Sequence, residues 1–286
     1  MRIVRCALAG LVLVLAACEP ADTGGGGGVG GKLAFIRDGA LVVSLDSGDQ
    51  ERDLTDPNTS ADPALSPTGQ TVAFAFAVGG DLTVTSLQTV PFAGDVRTPV
   101  ATPNSGQSFS QPAWSKDGST IVFVDTEGAD TQLMTVPATG GSAPTPVAPT
   151  LTDLHFPAYL DDHTLLVSKG ASLELETLDL TTLALTDLGI SSPSRGAVST
   201  DGSKIAYSRV DATTQVVVRD LATGAETPVA STGFGDFNPT FAPDDTFVAF
   251  DAKGPSDSSP KIYAAKTDGT GGTLLLQSGH QASWSP

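Results

Sequence analysis

The sequence has few cysteines and few basic residues. Two Cys in 286 residues can build neither a disulfide framework nor a cysteine-rich metal site. Fifteen Lys and Arg stand against 32 Asp and Glu, which gives a formal net charge of -17. The clustered positive charge that nucleic-acid phosphates or an anionic membrane surface require is therefore missing. We expect no nucleic-acid partner.

Residues that carry catalytic or metal chemistry are also scarce. The chain has 3 His, at 155, 163 and 280, without the spacing of a zinc site. No Gly-x-Ser-x-Gly nucleophile elbow occurs, and the acidic stretch 125–130 does not match a calcium loop. Aromatic residues make up only 6% of the chain, which leaves few platforms for stacking sugars. The sequence predicts no catalytic residue, no metal site and no cofactor.

Long hydrophobic runs are absent as well, apart from one near the first residue. Arg2 and Arg5 precede an apolar run from Cys6 to Ala17. As a helix this run would span about 18 Å, too short for a bilayer core of about 30 Å. It is typical of a secretory signal peptide.

The run ends in Leu15-Ala16-Ala17-Cys18, which resembles the lipobox of bacterial lipoproteins. The resemblance implies that residues 1–17 are removed and that Cys18 is lipidated, with palmitate among its acyl chains. Glu19 follows the cysteine, which by the same resemblance favours the outer membrane. Cys6 would be lost and Cys18 acylated, so no thiol would remain for redox chemistry. The alternative is an ordinary signal peptide that happens to contain a cysteine.

Residues 18–31 are rich in glycine, including Gly24 to Gly28. Glycine buries no side chain and loses much conformational entropy when it is ordered. No Gly-Lys-Ser/Thr closes the run, so it is not a phosphate-binding loop. The segment is predicted to be a flexible tether between the lipid and a folded domain at 32–286.

One phrase recurs through the rest of the chain: Pro-x-aromatic-Ser-Pro-Asp-Gly, followed by a short apolar run that ends near Ala-Phe. Its third positions are 39 to 49 residues apart and lie at 65, 114, 159, 198, 241 and 284. The runs are β-like and are separated by Asp-Gly and Gly-Gly turn signals. Repeats of about 40–45 residues with several strands each indicate a β-propeller.

Each repeat supplies four antiparallel strands, which is one propeller blade. Residues 33–55 offer only three strands, and the run around Ser283–Ser285 has no partner within its own repeat. We therefore predict an all-β, six-bladed propeller whose C-terminal strand pairs beside residues 33–36. Such pairing closes the ring and removes an open sheet edge.

The recurring phrase resembles the TolB-type (WD40-like) propeller repeat, and the resemblance covers residues 32–286. TolB proteins also carry an α/β domain before the propeller, and residues 19–31 offer no room for one. Together with the lipobox-like quartet, this resemblance implies a lipoprotein with a TolB-like propeller, and a role in the Tol-Pal system does not carry over automatically.

Three residues before each third position the repeats carry mostly polar side chains: Asp62, Gln111, Phe156, Arg195, Asn238 and Gln281. His155 and His280 lie beside two of these positions. In a propeller this part of each repeat lines one mouth of the central channel. The candidate binding site is therefore the channel mouth formed by Asp62, Gln111, His155, Arg195, Asn238 and His280.

Arg195 is the only cation among these residues, so it is predicted to pair with an anionic group of a ligand. An internal ion pair of Arg195 with Asp62 or Asp236 is the alternative.

Two classes of function compete. The first is a non-catalytic scaffold in the cell envelope that binds an envelope protein or a small polar or anionic ligand, as a lipid-anchored monomer. The second is a lyase or hydrolase that acts on saccharides at the channel mouth. The missing catalytic groups favour the first.

Overall fold

A computed structural model describes residues 30–192, 194–229 and 231–286. The predicted signal peptide, Cys18 and nearly all of the predicted tether lie outside these residues. The described residues form 24 strands in six antiparallel sheets of four strands each. This confirms the six-bladed propeller predicted from the repeats. Across the same residues, no helix has the length and hydrophobicity needed to cross a membrane.

The blades are numbered in chain order, with the strand nearest the central axis first. Blade 1 consists of β24 (His280–Ser285), β1 (Lys32–Arg37), β2 (Ala40–Leu45) and β3 (Arg52–Asp53). Blade 2 consists of β4 (Ser60–Leu65), β5 (Thr71–Val78), β6 (Asp81–Pro91) and β7 (Thr98–Ala101). Blade 3 consists of β8 (Gln107–Trp114), β9 (Thr120–Glu127), β10 (Asp130–Pro137) and β11 (Thr145–Pro146).

The second half of the ring repeats the same order. Blade 4 consists of β12 (Leu154–Asp161), β13 (Thr164–Lys169), β14 (Glu174–Asp179) and β15 (Leu185–Ser191). Blade 5 consists of β16 (Ala197–Val198), β17 (Lys204–Val210), β18 (Thr214–Asp220) and β19 (Glu226–Pro228). Blade 6 consists of β20 (Asp236–Phe241), β21 (Phe247–Ala252), β22 (Lys261–Lys266) and β23 (Gly272–Leu276).

Blade 1 joins the first and the last strand of the described chain, as predicted. Strand β24 pairs antiparallel with β1, and Trp284 lies opposite Leu33. Side chains add to this closure: the Ser283 hydroxyl accepts the Leu65 N–H at 2.9 Å, and the Ser285 hydroxyl donates to the Ser66 carbonyl at 2.8 Å. The last strand is thereby bonded to blades 1 and 2 together.

The hydrophobic core is divided among the six interfaces between neighbouring blades. Strands such as β1 and β9 bury four consecutive apolar residues each, because both faces of a blade are covered. Each of six apolar clusters combines side chains from two adjacent blades. Phe109 and Phe123 of blade 3, for example, lie 4.9 Å apart between ring centroids and pack toward blade 2. Burial between blades therefore keeps the innermost strands in a ring.

The Asp-Gly parts of the repeat form the turns between the first and second strands of the blades. Asp117 accepts hydrogen bonds from the Ser115 hydroxyl at 2.6 Å and from the Ser119 N–H at 3.0 Å. These bonds lower the pKa of Asp117 to about 2. Asp201 makes the equivalent contacts in blade 5. The recurring aspartates therefore hold turns, and we call the end of the channel where these turns lie the turn rim.

Candidate functional site

A cavity of about 460 Å³ lies on the propeller axis and is lined by the innermost strands of all six blades. Its wall includes aromatic side chains, among them Trp114, Tyr159 and Trp284. The sequence has only 2 Trp, and both lie at this cavity: Trp114 is half-buried, whereas Trp284 is 8% exposed and packs between blades 1 and 6. Intrinsic fluorescence therefore reports on the channel and its immediate surroundings.

One end of the cavity is formed by the polar ring, by which we mean Asp62, Gln111, Phe156, Arg195, Asn238 and Gln281. Five of these residues have left-handed backbone conformations, with φ between 48° and 55°; the exception is Arg195. A β-bulge interrupts strand pairing next to each of the five. In four blades the next residue is proline, which cannot donate to the neighbouring strand. The bulge separates the ring residue from the regular ladder and directs it to the channel end.

The ring residues are joined from blade to blade by hydrogen bonds. The Gln281 Oε1 accepts the Asp62 N–H at 3.4 Å, and the Asp62 Oδ2 accepts the Gln111 N–H at 3.2 Å. The Gln111 Oε1 in turn accepts the Phe156 N–H at 2.6 Å. Each side chain thus binds the backbone of the next blade. The series stops at Phe156, whose side chain has no acceptor.

Other polar groups serve the remaining part of the ring. The Ser194 hydroxyl accepts the Asn238 N–H at 3.2 Å. The Asp251 carboxylate accepts the Gln281 N–H at 3.1 Å and the Asn238 side-chain amide at 3.3 Å. Asp251 lies on β21 and is 7% exposed. Burial raises its pKa to about 6.

Arg195 is half-buried in the ring, and its guanidinium donates a hydrogen bond to the Ala282 carbonyl. Burial lowers the pKa of Arg195, while the negative charges of Asp251 and Asp62 act in the opposite direction. Asp236 is bonded instead to the hydroxyls of Ser231 and Thr232. The charges nearest Arg195 are therefore Asp62 and Asp251, and the predicted pairing with an anionic ligand stays a prediction.

The two predicted histidines lie apart from the cavity wall. Among the described residues that line the cavity, neither His155 nor His280 occurs. His155 is half-buried and lies 3.2 Å from an Asp153 carboxylate oxygen. Burial and the charge of Arg195 lower the pKa of His280. Of the six candidate residues, the structure brings Asp62, Gln111, Arg195 and Asn238 together at the cavity.

The turn rim carries a side chain that crosses the ring. Lys116, in the turn between β8 and β9, donates to the carbonyls of Ser199 and Thr200 in blade 5, each at 3.3 Å. Blade 4 lies between these two blades, so the lysine spans a chord of the ring. Lys116, Thr200 and Pro243 all line the cavity. Burial lowers the pKa of Lys116. The cavity is therefore bridged by a side chain at this rim.

Sequence reasoning missed Asp251, Lys116 and the aromatic wall as parts of the site. Asp251 had one available signal, because it is the only charge in the otherwise apolar strand Phe247–Ala252. Lys116 had none, because its contacts lie 83 and 84 residues away along the chain. Within the described residues, no group of three or more His, Cys, Asp or Glu is placed to hold a metal ion.

Comparison with known proteins places this architecture among solved propellers. TolB from Acinetobacter baumannii is 17% identical, with a TM-score of 0.74 over 90% of this chain and 67% of that chain. A TolB protein described as putative, from Agrobacterium tumefaciens, is 17% identical, with a TM-score of 0.63 over 86% of this chain and 88% of that chain. An oligogalacturonate lyase in complex with manganese is 12% identical, with a TM-score of 0.56 over 82% of this chain and 69% of that chain. No family model and no curated protein sequence matches the chain. The chain has the TolB-like six-bladed propeller fold.

Proposed function

We propose that this protein is a monomeric, non-catalytic binding scaffold of the bacterial cell envelope, and that its central cavity receives part of an envelope protein. The cavity of about 460 Å³ carries this proposal. Binding pockets commonly measure about 300–1,000 Å³ and combine apolar walls with a few polar groups. Here the apolar part comes from aromatic, proline and alanine side chains, and the polar part comes from the ring.

A second feature supports binding at this site. The polar groups of the ring bind across blades: the Gln281 side chain accepts the Asp62 N–H, and the Asp62 carboxylate accepts the Gln111 N–H. Groups held in this way give the ring a fixed shape, which lowers the entropic cost of binding.

The test compares a substitution that fills the cavity with a control substitution on the outside of the same blade. Ala197 lines the cavity on β16, whereas Ala222 is exposed in the turn between β18 and β19. The experiment places a photo-crosslinking amino acid at Gln111 in full-length protein in intact cells and identifies the adducts by mass spectrometry. We expect one dominant adduct that Ala197→Phe removes and Ala222→Phe preserves. Equal adducts in both variants would show that the cavity is not the binding site.

The anchor is part of the same proposal. Residues 1–17 act as the signal peptide, Cys18 carries the lipid, and residues 18–31 form the tether. Several acyl chains on one cysteine bind a membrane stably, where a single chain binds marginally. The lipobox-like quartet Leu15 to Cys18 supports this proposal, and Glu19 supports the outer membrane as its destination.

The lyase among the structural neighbours defines the enzymatic alternative. Incubation of the purified protein with oligogalacturonate, with and without added manganese, tests it through the appearance of shorter products. We expect no product above a heat-inactivated control. Turnover that Ala197→Phe abolishes and Ala222→Phe retains would replace the scaffold with a saccharide-cleaving enzyme.

A further inference from the structure

We propose that the cavity at the polar ring selects an organic cation: a primary amine or guanidinium, such as a lysine or arginine side chain of the partner. This inference rests on the proposed function, since it names the chemical group that the cavity would receive. Three observations carry it: the backbone donors of five ring residues are already engaged, a carboxylate keeps acceptor capacity at the cavity, and the nearby charges leave a negative excess.

An anion needs hydrogen-bond donors, and the ring has engaged its backbone donors. The backbone N–H groups of five ring residues are already bonded; they belong to Asp62, Gln111, Phe156, Asn238 and Gln281. The guanidinium of Arg195 donates one N–H to a backbone carbonyl, and the charges of Asp251 and Asp62 act on it. An anion at Arg195 would be repelled by these two carboxylates.

A cation needs acceptors, and Asp62 offers one at the cavity wall. Its Oδ2 accepts one N–H from Gln111, and its Oδ1 accepts one N–H from the Gln281 amide at 3.1 Å. An ionised carboxylate can accept about four hydrogen bonds. Asp62 therefore retains room for two more, and an ammonium or guanidinium group is the donor that a carboxylate binds most strongly.

The charges at this end of the cavity do not balance. Arg195 supplies one positive charge against the two carboxylates of Asp62 and Asp251. Burial raises the pKa of Asp62, and the charge of Arg195 only partly offsets it. His280 adds little positive charge at neutral pH, because burial lowers its pKa. A bound cation would supply the missing charge.

The cavity wall suits such a group in a second way. Trp114 and Tyr159 are half-buried and line the cavity, and aromatic faces attract ammonium and guanidinium groups through cation–π interactions. The net charge of -17 further raises the local concentration of cationic partners. Selection inside the cavity and electrostatic steering by the net charge therefore both favour a cation.

The experiment compares three small probes of similar size: the amides of N-acetyl-lysine, N-acetyl-glutamine and N-acetyl-glutamate. Each is titrated into the full-length protein, and binding is followed by the fluorescence of Trp114 and Trp284. We expect the lysine derivative to bind at least about 10-fold more tightly than the glutamate derivative, as for a gained charged hydrogen bond. Tighter binding of the glutamate derivative would overturn the cation inference and leave the scaffold intact. If none of the probes changes the fluorescence or gives heat in calorimetry, the cation inference fails, and the scaffold is decided by the crosslinking test alone.

Two variants that each remove one negative charge distinguish binding at the polar ring from the effect of the overall negative charge. Asp62→Asn keeps an acceptor for the Gln111 N–H and removes the charge, so we expect about a 10-fold loss of lysine-derivative affinity. Asp130→Asn removes the same charge from an exposed hairpin and should leave that affinity within about 2-fold. Equal losses in the two variants would refute a local site. If Asp62→Asn does not fold, Arg195→Gln gives the answer: removal of the competing positive charge should strengthen binding of the lysine derivative, and unchanged or weaker binding would overturn the proposal.

Discussion

Removal of the buried charge at Asp251 should change how the stability of the propeller depends on pH. The carboxylate is 7% exposed and is bonded to the Gln281 N–H and the Asn238 amide. Burial is the largest cause of its raised pKa, and the charge of Arg195 lowers it only in part. In Asp251→Asn the side chain keeps an acceptor for Gln281 and loses the charge.

The size of the effect follows from the two pKa values. The native pKa is about 6, whereas the ordinary value is 3.8. At about 1.4 kcal/mol per pH unit, the ionised carboxylate costs the folded state roughly 3 kcal/mol. Because the native pKa is raised, the folded state binds the proton more tightly than the unfolded state does. The contribution of Asp251 is therefore least unfavourable below about pH 4, worsens as the pH rises to about 6, and is constant above.

Urea unfolding at pH 4 and pH 7.5 measures this contribution. Between these two values, the wild-type protein should lose about 2.5 kcal/mol more free energy of unfolding than Asp251→Asn does, because about 0.5 kcal/mol is already lost at pH 4. Asp130→Asn, which removes an exposed carboxylate, should follow the wild type within about 0.5 kcal/mol. A pH dependence in Asp251→Asn that equals the wild type would refute the reasoning, because the buried carboxylate would then carry no penalty.

Three further predictions test closure, turns and anchoring. Trp284→Ala should cost about 3–5 kcal/mol in the free energy of unfolding, because Trp284 is 8% exposed and packs between blades 1 and 6. Deletion of residues 281–286 should open the ring and cause aggregation. A truncated protein that stays monomeric with an unchanged melting temperature would contradict ring closure. Asp201→Ala should lower the free energy of unfolding at neutral pH. This loss relative to the wild type should vanish as the pH falls through about 2, where Asp201 is protonated in the wild type. A loss that persists in acid would show that the turn does not depend on the charge. Cys18→Ser should move the protein from membrane to soluble fractions, and a variant that stays membrane-bound would argue against lipidation.

The fold could be predicted from the sequence because each repeat contains recognisable strand and turn signals. The phrase around Ala113-Trp114-Ser115 marks the end of a first strand and the start of a turn, and the buried run Ile121–Val124 marks the second strand. The copy in blade 5 keeps the spacing and lacks the proline. Gly196 stands where four other blades have proline after the ring residue, and β16 is only 2 residues long.

The site was predictable in position and not in chemistry. Alignment of the repeats placed Asp62 and Gln111 at the channel mouth, where the structure has them. It could not show that each side chain binds the next blade, because that depends on bulges and left-handed backbone conformations at non-glycine residues. It could not show the environment of Arg195 either, because Asp251 reaches the ring from the second strand of blade 6. The histidines were placed by chain proximity alone, and the bulge separates them from the cavity wall.

The lysine that bridges blades 3 and 5 narrows one end of the channel. With Lys116 bonded to the Ser199 and Thr200 carbonyls, its side chain crosses the turn rim between two blades that are not neighbours. Gly31 precedes β1 at this end, next to Ser285, so the described part of the chain enters the propeller beside the same rim. A partner that approaches from this end therefore has to pass the lysine before it reaches the polar ring.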